Sequence, residues 1–435
     1  MEEIHRTHYN NQINESIIGS NIRIAGWIED IRDIGNLGFI ILRDVTGTIQ
    51  VVVGKENISL LTDLPRQSSI VIDGIVQISK AKDSSVEVKL KKIETMTKAV
   101  HPLPIDPTGR VESASDKRLD ARSLDLRNPS VAAIFHLRSI SLDTIRNTLK
   151  LDRFIEVNTP KIIGSASEGG ANLFECQYFK RKAYLAQSPQ LYKEQLTLGL
   201  DKIFEIAQYY RAENSNTIRH LTEFLSVDIE AAYQDYEDIM KTIEIVVKNV
   251  INTVTSSEYF SKCEMSEEKR NKISQIDINK PFNKLRYQDC IDELNRSGEK
   301  KEFGDDLSDL DLRKIGKNHQ EFFFITDWPL KIKPFYIHEK ASNYELSESF
   351  DLQYGFLELV SGGRRQHDPV KIKNRLEEQG LSPSSFVEHL KSFNWGMPPH
   401  SGCGLGFDRL IMVLTGAENI RDVVLYPRDP DRLNP

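Results

Sequence analysis

Between Asn21 and Leu90, polar and apolar side chains alternate through five short runs. The runs are Asn21–Ile28, Phe39–Arg43, Ile49–Val53, Ser69–Val76 and Val86–Leu90, with a turn signal at Asp44-Val45-Thr46-Gly47. A period of two sends successive side chains to opposite faces of a strand. Five such strands in one short stretch predict a small closed barrel. An OB-fold and an SH3-like barrel both fit this pattern. The alternation ends at a Pro-rich linker, His101-Pro102-Leu103-Pro104-Ile105-Asp106-Pro107. Residues 1–103 are therefore read as the barrel domain and 104–130 as a hinge with short helices.

From Val131 the pattern changes. Phe135, Leu142, Ile145 and Leu149 make a helical stripe. Strand-like pieces follow at Phe154–Val157, Ile203–Ala207, Phe224–Ala231, Phe322–Thr326, Phe350–Tyr354 and Phe356–Val360, separated by loops and helices. This predicts an α+β domain over 131–435, built on a mainly antiparallel sheet flanked by helices. Residues 235–320, rich in Lys, Glu and Asp, read as a helical insertion packed on that sheet.

Composition narrows the class without deciding function. The 435 residues carry a net charge of −7, with −1 over residues 1–110 and −6 over the rest. Phosphate binding wants Lys and Arg, but so even a balance neither demands nor excludes RNA. No apolar run approaches a membrane span and no secretory signal is visible. Cys176, Cys263, Cys290 and Cys403 are spaced for neither a zinc site nor a disulfide framework, which points to a reducing cytoplasm.

The sequence has no P-loop, G-x-G-x-x-G, G-x-S-x-G or H-E-x-x-H. Four other pieces can carry chemistry. Arg211-Ala212-Glu213, followed by Arg219-His220-Leu221-Thr222-Glu223-Phe224, offers a guanidinium for phosphate and a ring for a base, or else a solvated hairpin. Gly402-Cys403-Gly404-Leu405-Gly406 runs into Phe407-Asp408-Arg409. There glycines permit close approach, and a helix start with Arg409 favours an anion. Asp351 and Glu358 on adjacent strands could share a hard cation; standing apart they are two solvated acids. In Gln187-Ser188-Pro189-Gln190-Leu191-Tyr192-Lys193, Ser188 reads as an N-cap and Pro189 as the first helical residue. Gln190 and Lys193 then share a face.

Together these pieces resemble the class II aminoacyl-tRNA synthetases, most closely their archaeal and eukaryal aspartyl type. Phe154-Ile155-Glu156-Val157-Asn158-Thr159-Pro160 resembles motif 1, which lies at a homodimer interface in that family. Arg211 to Phe224 resembles motif 2, and Gly404 to Arg409 motif 3. The resemblance covers nearly the whole chain. It implies ATP and Mg²⁺ as cofactors, and L-aspartate and tRNA(Asp) as substrates. Asparaginyl-tRNA synthetases, an adenylating paralogue and a non-catalytic RNA-binding relative are the alternatives.

The resemblance also implies roles. Arg211 would hold the ATP α-phosphate and Arg409 the γ-phosphate, as the catalytic pair. Glu213 and Phe224 would take the adenine, with Arg219, His220, Leu221, Glu358 and Gly406 completing the ATP site. Asp351, Glu358 and Ser361 would bind the metal. Lys193 and Arg365 would clamp the substrate side-chain carboxylate. Glu168, Gln190 and Asp228 would surround its ammonium, with Ser188 and Ser361 nearby. Strand alternation agrees for Asp228, since Ser226, Asp228 and Glu230 share one face. Asparaginyl relatives usually lack the lysine matching Lys193 and carry Glu where this chain has Asp228. In the barrel, Arg32, Phe39 and Gln50 would contact the anticodon, although composition alone reads Phe39 as core. Glu29 departs from the family's strict-reading pattern and Lys82 matches it, so charging of tRNA(Asn) stays open.

Overall fold

The computed structural model of the chain describes residues 5–81, 84–164, 173–214 and 217–435. Two compact units divide it, Met1–Pro129 and Ser130–Pro435. In the first, β1 (Asn21–Asp33), β2 (Leu37–Arg43), β3 (Thr48–Gly54), β4 (Ser69–Ile78) and β5 (Val86–Thr97) close into a barrel in the order β1-β2-β3-β5-β4. β1 is long enough to pair with β4 at one end and β2 at the other, with a bulge between Ile28 and Asp30. Ile24, Ile28, Ile40, Leu42, Val51, Val53, Ile70, Ile72 and Val88 fill the interior. Each such side chain contributes about 1.5–3 kcal/mol on burial. Alternation then forces Phe39, Ile41 and Gln50 outward, so Phe39 is not part of this core. The short helices Ser115–Asp120 and Arg122–Asp125 follow the barrel.

The second unit begins with a helix at Pro129–Leu151. Its strands are β6 (Ile155–Glu156), β7 (Ile162–Ile163), β8 (Glu175–Tyr178), β9 (Arg181–Leu185), β10 (Lys202–Tyr210), β11 (Glu223–Ala232), β12 (Asn283–Arg286), β13 (Phe322–Thr326), β14 (Glu339–Lys340), β15 (Asn343–Ser347), β16 (Ser349–Tyr354), β17 (Leu357–Arg364) and β18 (His400–Gly406). Eight of them form one sheet in the order β12-β13-β16-β17-β18-β11-β10-β6. It is antiparallel except at its two edges, β12–β13 and β10–β6.

One face of this sheet packs on a large apolar core. The helix Tyr236–Thr255 buries Ile239, Met240, Ile243, Val246, Val247, Val250, Ile251 and Val254 there. The 3.6-residue period produces that stripe, and a capping box between Asp235 and Asp238 starts it. The region 235–320 thus differs from the expected insertion in two ways. Its first helix belongs to the main core, and Asn283–Arg286 supplies an edge strand of the sheet. No helix among the described residues is long and apolar enough to cross a membrane.

Candidate active site

The other face of the sheet carries two adjoining cavities of about 350 and 340 Å³. Their shared lining includes Arg211, Arg219, His220, Lys333, Glu358, Ser361 and Arg409. Three of the four pieces singled out from the sequence meet here because β11, β18, β17 and β16 are consecutive neighbours, and the fourth reaches the same cavity from the helix Gln190–Leu200.

At one end of the cavity, buried acidic and basic side chains converge. Asp228 and Glu230 project from β11 opposite Gly404 and Gly402 of β18. A methyl group at Gly402 would collide with Glu230 Oε2 and the Ile229 carbonyl, so only glycine leaves room for that carboxylate. Lys193, 1% exposed, donates to Asp228 Oδ1 at 3.0 Å and to the Cys403 carbonyl at 3.1 Å, and lies 3.5 Å from Glu230 Oε2. Arg365 meets Glu230 through two bonds of 2.9 and 3.1 Å and lies over the Tyr336 ring. Two buried cations therefore converge on Glu230, which sequence reasoning placed on this face without a role.

The helix bearing Lys193 starts one residue later than expected. It spans Gln190–Leu200 with Pro189 at the cap position, and Ser188 Oγ accepts from the Gln190 amide at 3.3 Å. Gln190 and Lys193 do share a face, and both line the cavity with Ser188. Gln190 Nε2 donates to buried Glu194 at 2.7 Å, which fixes its amide. Burial alone would raise Glu194, but His400, His389 and Arg365 outweigh it and bring the carboxyl down to about 2. Glu168 lies outside the described residues.

The other end is cationic and suits a phosphate chain. Arg211, just past the end of β10, pairs through its amide with the Thr222 carbonyl and places its guanidinium over Phe224. Glu213 lines the same cavity. Arg409, in the first turn of the helix Phe407–Thr415, donates to the Glu358 carbonyl at 2.9 Å. Arg219 pairs with Asp309 and faces the Phe356 ring. His220 bonds Thr217; burial and the charge of Arg409 hold its imidazole below the ordinary range. Leu221, Phe224 and Gly406 line the remaining wall. Asp408 receives Arg138 at 2.6 Å and the Leu225 amide at 2.9 Å, tying the long first helix to both β11 and the Arg409 turn.

The candidate metal ligands are Glu358 and Ser361, which line both cavities, and Asp351, which lines the second. Asp351 on β16 stands opposite Ser361 on β17, and Gln353 opposite Glu358, with an irregularity between Leu352 and Gln353. Glu358 and Ser361 are three apart and would face opposite ways in a regular strand. The bulge turns both to the cavity. Burial, then the negative charge of Asp351, pushes the Glu358 carboxyl above its usual range, against the pull of Arg409, Lys333 and Arg211. Lys333, which the sequence did not reveal, bonds Asp351 Oδ2 at 2.9 Å. Asp351 Oδ1 is buried without a hydrogen-bond partner among the described residues. Crowded carboxylates with an orphaned oxygen fit a divalent cation that takes a few protein oxygens and completes its shell on substrate phosphates.

In the first unit, Arg32 stands across the ladder from Phe39, and Gln50 from Ile41, on the outer face of the barrel. Gln50 Nε2 donates to Glu87 at 2.9 Å. Glu29 is held by Arg43, and Lys82 lies outside the described residues.

Residues 114–430 match the family described as tRNA synthetases class II (D, K and N), and residues 22–96 match the OB-fold nucleic acid binding domain. The chain is 42% identical to an aspartate–tRNA(Asp/Asn) ligase of Saccharolobus solfataricus, over 99% of this chain and 100% of that protein. It is 40% identical to an aspartate–tRNA(Asp) ligase of Pyrococcus horikoshii, with the same coverage. Among solved structures, asparaginyl-tRNA synthetase of Pyrococcus horikoshii with asparaginyl-adenylate superposes with a TM-score of 0.92 at 32% identity, covering 99% of this chain and 100% of that one. With its barrel, its sheet and its two-ended cavity, the chain belongs to the class II tRNA synthetases of the D, K and N group.

Proposed function

We propose that this chain activates L-aspartate with ATP to aspartyl-adenylate and pyrophosphate, then transfers the aspartyl group to the 3′-terminal adenosine of tRNA(Asp) with release of AMP. The observation that carries the reading is the meeting of Lys193 and Arg365 at Glu230, beside Asp228. A substrate ammonium that engages Asp228 leaves two cations sharing one carboxylate. A side-chain carboxylate balances that surplus, whereas an amide leaves buried charge unmatched. Lys193 and Asp228 thus support aspartate over asparagine, in line with the aspartate ligases at about 40% identity.

The substrate's own α-carboxylate oxygen attacks the α-phosphorus, and pyrophosphate leaves. The reaction therefore calls for positioning and charge neutralisation rather than an enzyme nucleophile. Arg211 would hold the α-phosphate and Arg409 the far end of the triphosphate, with Glu213 and Phe224 at the adenine. Asp351, Glu358 and Ser361 would hold Mg²⁺, which when bound supplies positive charge at the phosphates. Gln190 and Ser188 line the amino-acid end. Arg32, Phe39 and Gln50 would take the anticodon on the outer face of the barrel. The enzyme would work as a cytoplasmic homodimer.

The test is aspartate-dependent ATP–pyrophosphate exchange, followed by charging of tRNA(Asp) and tRNA(Asn) transcripts with each amino acid. Exchange driven by asparagine and not aspartate would overturn the assignment. Charging of both transcripts would place the enzyme with the Asp/Asn relatives.

A further inference from the structure

β16 presents Phe350 and Leu352 to the core, so Asp351 and Gln353 share the opposite, cavity-facing side. Across the bulged ladder they stand opposite Ser361 and Glu358. Cross-strand partners lie about 4.5–5.5 Å apart. Four oxygen-bearing side chains therefore form one compact patch, and all four line the same cavity. Three already have a role in the proposed metal site. Gln353 has none. It is 1% exposed, and its Oε1 has no hydrogen-bond partner among the described residues. A buried acceptor without a donor is costly, and an apolar residue would fill the same space without that cost.

Asp351 has one oxygen engaged by Lys333, which leaves Oδ1 for a cation. A neutral amide oxygen beside it adds a hard donor without a third negative charge to repel the triphosphate. We infer that Gln353 is a further oxygen donor to the divalent cation held by Asp351 and Glu358, reaching the ion or one of its waters through Oε1. The inference rests on the proposed ATP-dependent activation.

The experiment is Mn²⁺ titration followed by electron paramagnetic resonance, on the full chain saturated with α,β-methylene ATP. Gln353→Leu should weaken Mn²⁺ binding about tenfold, as loss of a supporting ligand does elsewhere. Gln353→Glu, of similar size, should tighten it and gives a second reading where the leucine variant folds poorly. Unchanged Mn²⁺ affinity in Gln353→Leu, or weaker binding in Gln353→Glu, overturns the inference. So does an equal loss of nucleotide affinity by Gln353→Leu in excess chelator, because the amide would then serve a phosphate. Asp351→Asn separates the two levels of the argument. If it too leaves Mn²⁺ affinity unchanged, the metal-site reading itself fails rather than the role of Gln353 alone.

Discussion

Arg365 and Glu230 face each other through two near-parallel bonds, Nε to Oε1 at 2.9 Å and Nη2 to Oε2 at 3.1 Å, with neither side chain more than 3% exposed. The pair sets both the charge and the shape of the amino-acid corner. Removing one partner of such a buried pair leaves an uncompensated charge. Glu230→Gln should therefore cost about 3–5 kcal/mol of stability, read by denaturant unfolding. It should also raise KM for aspartate more than KM for ATP. A variant as stable as the parent would show that the pair is not isolated from water.

Lys193→Leu tests substrate choice. It should lower kcat/KM for aspartate activation by about two orders of magnitude or more, because the proposed charged hydrogen bond to the substrate would be lost and Asp228 would lose its ion-pair partner, keeping Ser226. KM for ATP should change little, since Lys193 sits at the other end of the cavity. Pyrophosphate exchange measures both, and unchanged aspartate kinetics would remove Lys193 from the pocket's function.

The barrel can be separated from the chemistry. Phe39→Ala should raise KM for tRNA about tenfold to a hundredfold, the range expected for loss of one stacked base. Gln50→Ala should act in the same direction. Neither should alter adenylate formation. Equal loss of both steps would argue that these side chains support the fold rather than the tRNA.

Burial holds His389 below the ordinary imidazole range, with His400 adding to the effect and Glu194 opposing it. The native state thus keeps this ring neutral where the unfolded chain begins to bind a proton. Stability from this group is fully present above the unfolded value of about 6.5 and declines as pH falls towards the lower native value. Thermal unfolding between pH 7.5 and 5.5 should show Tm falling with pH, and His389→Gln should flatten that slope. An unchanged slope would place the acid sensitivity in His220 or His367, which are lowered in the same direction.

Periodic features were readable in the residues alone. The barrel strands, the polar face of β11 and the Gly-rich strand running into Arg409 follow from alternation and glycine spacing. Non-periodic features were not. Asp351 and Glu358 are seven apart, and only the bulge before Gln353 explains how Glu358 and Ser361 come to face one cavity. The residue left out of the ladder is Leu359, and only its burial beside Val360 breaks the alternation. Lys333 reaches Asp351 from a short turn with no repeating pattern. The partnership of Glu230 with Arg365 spans 135 positions. The apolar stripe of the helix Tyr236–Thr255 belongs to the main core, but the charged segment after it makes the whole of 235–320 look like one added insertion.

β18 passes without a break into the helix Phe407–Thr415. Gly402 and Gly404 stand opposite Glu230 and Asp228, the carboxylates of the proposed amino-acid pocket, and Arg409 stands a few residues further along the same uninterrupted segment. No loop intervenes that could act as a hinge within it. The spacing between Gly404 and Arg409 is therefore set by chain geometry, like two marks on one ruler, and no turn within this segment is available to change it.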